Sequence, residues 1–274
     1  MSSTSRRVRL DRELVRRGLV RSRQSAQEVI AQGRVTVDGA PAAKPSALVG
    51  PWQNLAVTGG GRRWVSRGGD KLAGALAALR VPVAGRICLD AGASTGGFTD
   101  VLLDAGASCV IAVDVGYGQL AWTLRNDPRV VVLERTHVRA LDASQLDGHV
   151  PELVVADLSF ISLATVLPAL RAVADPGADW CLLVKPQFEA GPRFVGRGGV
   201  VRDPDGWRTA LDKVRGAAIE LGLRAAEGTV SPLPGPAGNI EFFLWLRTAN
   251  GTDWEVLRER LIADGCVLRD TTAG

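Results

Sequence analysis

The segment ICLDAGASTGGFTDVLL, residues 87–103, leaves few folds open to this chain. An apolar run ends at Asp90, a glycine-rich turn follows, and a helical apolar repeat begins near Gly97. That order is a buried strand, a tight loop and a helix start. Gly92, Gly96 and Gly97 carry no side chain, so the loop backbone can approach a ligand closely. The unpaired N–H groups of the new helix then face the crevice beyond the strand. The spacing is Asp-x-Gly-x-x-x-Gly-Gly, unlike the Gly-x-Gly-x-x-Gly of dinucleotide folds. An acid about 20 residues past such a turn can accept hydrogen bonds from both ribose hydroxyls of a nucleoside cofactor. Asp114, at the end of the apolar run VIAVD, stands there. A glycine turn alone also suits an α/β protein that binds nothing. The turn together with its acid points to a bound nucleoside.

From Asp70 onward strand and helix patterns alternate. Helical periodicity covers about 70–79, 97–106, 118–125, 163–173, 205–221 and 253–263. Strand-like runs fall at about 86–90, 109–114, 130–134, 153–157, 180–185, 223–230 and 240–247. This alternation predicts a doubly wound parallel sheet with right-handed crossovers. The last two runs lie close in sequence and predict a hairpin that puts an antiparallel strand at one edge. The composition, 46% hydrophobic, supports a proper core. No apolar run approaches the ~20 residues of a membrane helix, and the charged N-terminus has no apolar stretch of a secretory signal. Cys88, Cys109, Cys181 and Cys266 show no metal-ligand or redox spacing. A cytoplasmic protein is the expectation.

Charge is unevenly spread. Residues 1–60 hold ten basic and four acidic residues, whereas the rest hold 23 and 25. An anionic partner is therefore expected at the N-terminal fifth. There Asp11 is placed to cap one helix, ended by Gly18, and Ser22 a second, ended by Gly33. RVTVDGAPA reads as a hairpin around Asp38-Gly39, and NLAVTG as a further strand. Gly59-Gly60-Gly61 marks a joint. The predicted domains are residues 1–60, a linker 61–68 and a large domain 69–274. The only lysines are Lys44, Lys71, Lys185 and Lys213. In a chain otherwise built on arginine, a lysine at a strand end suggests use of its titratable amine.

Two resemblances extend this reading. The stretch RLDRELVRRGLVRSRQSAQEVIAQGRVTVDG is similar to the small RNA-binding domain of ribosomal protein S-four. That likeness implies phosphate contacts by Arg6, Arg7, Arg9, Arg16, Arg17, Arg21 and Arg23. Beyond the joint, Arg62, Trp64 and Arg67 stand together, with Trp64 able to anchor a domain or stack on a base. The loop at 92–98 resembles the first motif of S-adenosylmethionine-dependent methyltransferases. It implies S-adenosyl-L-methionine as cofactor, held by Asp90, Gly92, Ala93, Ser94, Thr95, Gly96, Gly97, Phe98, Asp114, Val115 and Asp157. The fold implied is a seven-stranded, Rossmann-like, doubly wound methyltransferase sheet with a small α+β RNA-binding domain in front.

Lys71, Asp157, Lys185 and Glu241, in order and context, match the catalytic tetrad of the FtsJ-like ribose 2′-O-methyltransferases. With the N-terminal module, the chain resembles bacterial enzymes that methylate cytidine 2′-hydroxyls of ribosomal RNA and often carry a haemolysin label. The resemblance implies ribosomal RNA or a ribosomal subunit as partner. A ribose hydroxyl must lose its proton as the methyl group arrives, and a neutral lysine amine can take it. Lys185 is the base candidate, and Lys71 supplies neighbouring charge. Asp157 orients Lys185, and Glu241 holds Lys71. A non-catalytic ribosome-assembly factor is the competing class, and it would tolerate loss of the loop or the tetrad, both present here. A membrane-lytic protein would need a span or a long amphipathic basic helix, and neither is visible. The Gly- and Arg-rich run 192–204 is either a loop that meets RNA or a solvated connector.

Overall fold

The computed structural model describes residues 7–20, 22–42, 44–57, 64–249 and 251–272. The chain divides into two compact units, Met1–Arg63 and Trp64–Gly274.

In the first unit β1 (Val8–Arg9) leads into α1 (Leu10–Arg16) and α2 (Arg23–Ala31). Then follow β2 (Val35–Val37), β3 (Ala40–Pro41), β4 (Leu48–Val49) and β5 (Leu55–Val57). Strands β3, β2 and β5 form one small sheet, and β1 pairs with β4. Asp38 and Gly39 both take positive φ, 53° and 85°, as a tight primed hairpin turn requires. Ser22 Oγ accepts the Ser25 N–H at 3.1 Å and caps α2. Asp11 does not cap α1. It lies inside the first turn, fully buried, because two arginines claim its carboxylate. Leu10, Leu14, Ala26, Val29, Ile30, Val35 and Leu55 close the core.

The second unit runs α3 (Arg67–Leu79), β6 (Ile87–Ala91), α4 (Gly97–Asp104), β7 (Cys109–Val113), α5 (Trp122–Arg125) and β8 (Val130–Leu133). It continues with β9 (Leu153–Ala156), α6 (Leu163–Val173), β10 (Asp179–Val184), α7 (Pro186–Glu189) and α8 (Pro204–Glu220). Strands β11 (Arg224–Val230) and β12 (Phe242–Arg247) and helix α9 (Trp254–Thr272) complete it. The seven strands form one sheet in the order β11-β12-β10-β9-β6-β7-β8. Strands β7, β9 and β10 are buried along their whole length, which explains their unbroken apolar runs. Alternate residues serve opposite layers. Cys88, Val110, Val155 and Leu183 pack toward Leu72, Leu76 and Leu102 of α3 and α4. Leu89, Ile111, Val154 and Leu182 pack toward Leu167, Leu211 and Leu261 of α6, α8 and α9.

Three expectations need correction. The antiparallel strand is not at the edge: β12 inserts between β10 and β11, and β11 takes the edge. Strand β12 holds FFLW, withdrawn from solvent on both faces, whereas β11 carries Arg224 and Glu227 and tolerates one open side. The helix expected over 118–125 shrinks to α5, because Gly118 takes φ 69° and the Gly118 and Ala121 N–H groups donate to Glu134 Oε1 and the Thr95 carbonyl instead of into a helix. Helix α9 continues to Thr272 through Gly265. A Cβ at Gly265 would meet the Phe242 and Trp207 rings at 3.2 Å, so the glycine is a notch that lets the helix pass.

Candidate active site

The carboxyl ends of β6, β7, β9 and β10 bring Asp90, Asp114, Asp157 and Lys185 to one rim. The loop after β6 is packed so tightly that it demands glycine. Gly92 has φ 88°, and a Cβ there would lie 2.6 Å from the Asp157 carbonyl oxygen. Gly96 has φ 96°, and its Cβ would strike Leu124 at 2.3 Å. Ser94 also takes positive φ, 50°, held by its N–H donating to Asp114 Oδ2 at 2.8 Å. Asp114 therefore ties two turns together and leaves lone pairs on both oxygens. Phe98 and Ala93 are buried in the core, while Val115 is exposed beside Asp114. Thr95, in the same loop, accepts the Ala121 N–H on its carbonyl.

Asp90 is wholly buried, and Thr99 Oγ donates to its Oδ2 at 2.7 Å. Burial pushes this carboxyl up to about 7, with Thr99 opposing the shift and the charges of Asp157 and Asp114 adding to it.

The four tetrad residues form two ion pairs. Lys71 Nζ, on α3, donates to Glu241 Oε2 at 2.5 Å, and both side chains are buried. Glu241 directly precedes β12, whose register sets Phe242 opposite Val184, so Glu241 comes to the rim where Lys185 ends β10. Lys185 Nζ lies 2.5 Å from Asp157 Oδ1 and donates to Ser159 Oγ at 3.0 Å. This ion pair occupies Asp157 Oδ1. Gly68, on the first turn of α3, would place a Cβ 3.7 Å from Asp157 Oδ2. Helix α3 thus adjoins both pairs.

Three buried side-chain oxygens lack any partner among the described residues: Asp90 Oδ1, Gln187 Oε1 and Glu241 Oε1. Each belongs to a residue at, or a few positions from, a strand end on this rim. Unpaired buried acceptors are costly, and these sit near the strand ends of one rim. A ligand bearing ammonium, hydroxyl or amino donors fits such a set. Around the rim stand exposed Val115, Tyr117, Trp122 and Phe160. Phe160 is 92% exposed at φ 63°, an unusual conformation for an aromatic residue, and its ring lies 5.4 Å from that of Phe188.

A model of the FtsJ-like methyltransferase family matches residues 64–248, and one of the S4 domain matches residues 8–51. The chain belongs to the FtsJ-like methyltransferase family. It is 61% identical over 245 residues to the 16S/23S rRNA (cytidine-2′-O)-methyltransferase TlyA of Mycobacterium tuberculosis, covering 89% of this chain and 91% of that one. It is 37% identical to Hemolysin A of Brachyspira hyodysenteriae over 86% of this chain and 98% of that protein. A solved hemolysin-designated structure from Streptococcus thermophilus has a TM-score of 0.76 and 35% identity, covering 98% of this chain and 99% of that one.

For this FtsJ-like chain the arginines of the S4 unit are arranged differently from a simple basic face. Asp11 binds Arg9 at 3.0 Å and Arg23 at 3.1 Å. These guanidinium groups, Arg9 foremost, hold its carboxyl well below the usual carboxylate range. Glu13 binds Arg16 at 2.6 Å and Arg17 at 2.7 Å, which lowers it to about 2. Arg17 also donates to the carbonyls of Gln53, Gly50 and Pro51, so it fixes the 50–53 turn. That turn carries the exposed Trp52. Arg7 and Arg67 are exposed, with Arg67 donating to the Pro234 carbonyl at 3.2 Å. Arg6, Arg21 and Arg62 lie outside the described residues. Trp64 is not offered for stacking on a base: it is buried against Gly69, where a Cβ would meet it at 2.3 Å. Sequence reasoning missed Thr99 and Ser159, which hold Asp90 and Lys185. Thr99 lies in GGFTD, the string of the glycine loop, and Ser159 in DLSF, the string of Asp157; that proximity is the signal that could have found them.

Proposed function

We propose that this chain methylates the ribose 2′-hydroxyl of cytidine in ribosomal RNA, of the small or large subunit, with S-adenosyl-L-methionine as donor. The observation that carries the reading is the pair of lysine–carboxylate contacts, Lys71–Glu241 and Lys185–Asp157, beside a glycine loop whose rim gathers the orphaned acceptors. When bound, the cofactor supplies an electrophilic methyl group on a sulfonium sulfur. Asp114 would hold the ribose hydroxyls, residues 92–98 and Val115 the rest of the molecule, and the carboxyl groups of Asp90 and Asp157 would face its cationic groups. Lys185 takes the 2′-hydroxyl proton on Nζ as the oxygen is methylated, oriented by Asp157 and Ser159. Lys71, steadied by Glu241, stabilises negative charge developing on the hydroxyl oxygen. Phe160 presents the kind of open ring on which an unstacked base rests. Residues 1–63 act as the docking module and residues 64–274, which include the buried Trp64 and α3, as the methyltransferase domain.

The reading is supported by the 61% identity to an enzyme named for this activity. Among the described residues no helix is long and apolar enough to cross a membrane. Mass mapping of 2′-O-methylcytidine in ribosomal RNA from cells with and without the gene tests it. So does methyl transfer by the purified chain to isolated subunits. Identical maps and no transfer would overturn it.

A further inference from the structure

We propose that residues 192–202 of the catalytic unit form a docking surface for the sugar–phosphate backbone of the substrate RNA. The inference rests on the RNA-methyltransferase reading and adds a contact surface outside the N-terminal module. The segment PRFVGRGGVVR holds three arginines and no carboxylate. Arg193, Arg197 and Arg202 are exposed, and among the described residues none has an ion-pair or hydrogen-bond partner for its guanidinium. Arg193 only lies over the Phe194 ring, 4.5 Å from its centroid. The adjacent carboxylate, Asp203, is committed to capping α8 through the Asp205 N–H. By contrast, Arg9, Arg23, Arg16 and Arg17 of the first unit are shared between two buried carboxylates. Three unpaired guanidinium groups therefore stand close together on this loop.

The loop is also held in one shape. Gly196 donates to the Val200 carbonyl at 3.0 Å, and Gly199 to the Gly196 carbonyl at 3.1 Å. Buried Asn239 clamps it from beneath. Its Nδ2 donates to the Gly199 carbonyl, and its Oδ1 accepts the Val201 N–H, both at 2.9 Å. Trp207 Nε1 donates to the Val201 carbonyl at 2.9 Å, and Val201 and Phe194 sit over Gly206, where a Cβ would meet them at 2.6 and 3.0 Å. The apolar residues face in and the arginines face out. Asn239 stands two residues before Glu241, and the same 231–241 turn receives Arg67 at Pro234. The 231–241 segment thus links the loop and Arg67 to the tetrad side of the rim.

Guanidinium groups carried on a fixed backbone and lacking counter-ions match phosphate oxygens, which they can grip bidentately. An acidic protein partner would be expected to meet buried aromatic or aliphatic anchors, and a membrane an apolar face. This loop offers neither, since Val200 and Val201 are buried and the half-buried Phe194 and Val195 pack against the core. The occupant is RNA backbone, contacted without regard to sequence.

The test uses the full-length chain and the ribosomal RNA or subunit that the wild type methylates. The triple variant R193Q/R197Q/R202Q should bind that RNA at least about tenfold more weakly, with a salt slope shallower by about one for each phosphate no longer gripped. Cofactor affinity by calorimetry and the single-turnover rate at saturating RNA should stay within about twofold, because the loop supplies docking alone. In single variants R197K should retain most affinity, R197Q less and R197E least, an order that a packing role would not produce. Unchanged affinity and slope in the triple variant, or R197K as weak as R197E, would overturn the inference while leaving the methyltransferase reading intact. Retained RNA affinity with abolished binding to anionic vesicles would overturn it in favour of a membrane contact. A wild-type chain that transfers no methyl group to ribosomal RNA would end both.

Discussion

Lys71 Nζ and Glu241 Oε2 lie 2.5 Å apart across 170 residues of sequence, with both side chains almost wholly withdrawn from solvent. A pair so placed is held by its partners more than by its own energy: removing one member leaves a bare charge in a dry site. Glu241→Ala should therefore destabilise the chain by roughly 3–5 kcal/mol, the usual penalty for breaking a buried pair. Lys71→Ala/Glu241→Ala together should cost less than the sum of the single changes, since neither charge is stranded. Chemical denaturation of the two singles and the double decides. Strict additivity would mean the pair is solvated in solution.

Asp114 is the second point of leverage. Its two oxygens already accept the Ser94 and Gly116 N–H groups, so it shapes the loop as well as facing the crevice. Asp114→Ala should weaken S-adenosyl-L-methionine binding by about 1–3 kcal/mol, the cost of charge-assisted hydrogen bonds. Calorimetry with an unchanged dissociation constant would remove Asp114 from the cofactor site.

The strand-end acids Asp90, Asp114 and Asp157 and the strand-end Lys185 were readable from the chain because each falls at the end of an apolar run, and open α/β sheets gather such ends at one crevice. Glycine demand at 92 and 96 was equally visible in the string. What could not be read was competition. Asp11 looks like a helix cap in isolation, yet Arg9 and Arg23 take its carboxylate from either side in sequence. Trp64 looks available to a base, yet Gly69 leaves a hollow that swallows it. The place of β12 inside the sheet depends on which strand has two apolar faces to bury, a comparison that local periodicity does not make.

Within the first unit, Arg16 and Arg17 should behave differently although both touch Glu13. Arg17 holds three carbonyls of the 50–53 turn, whereas Arg16 keeps 63% of its side chain exposed. Arg17→Ala should lower stability by about 1–3 kcal/mol, the penalty for unsatisfied buried partners. Arg16→Ala should alter stability by less than about 1 kcal/mol, as is usual for exposed pairs, and should reduce the salt slope of RNA binding. Urea titrations and anisotropy across salt separate the two. Equal stability loss in both would show that the turn does not depend on Arg17.

Asp90 gives a pH signature. Burial raises its carboxyl to about 7, whereas an aspartate in the unfolded chain releases its proton near 4. Between those values the folded protein keeps a proton that the unfolded chain has lost, so the contribution of Asp90 to stability falls as pH rises through that window. Asp90→Asn cannot ionise, and its melting temperature should decline less than that of the wild type between about pH 4 and 7. Parallel melting curves for the two proteins without ligand would show that Asp90 titrates normally.

Lys185 carries the chemistry if the proposed mechanism holds. Lys185→Ala should leave cofactor and RNA bound yet slow methyl transfer by roughly 10²–10⁴-fold, the usual worth of a positioned general base. Lys185→Arg should not restore the rate, because a guanidinium stays protonated at any working pH and has no lone pair to offer. Ser159→Ala removes the 3.0 Å hydrogen bond to Nζ, so it should lower the transfer rate with the affinity for RNA unchanged. Single-turnover rates at saturating cofactor and RNA measure all of these together. An arginine variant with near-wild-type rates would show that position 185 contributes positive charge alone, and the proton would have to leave by another route.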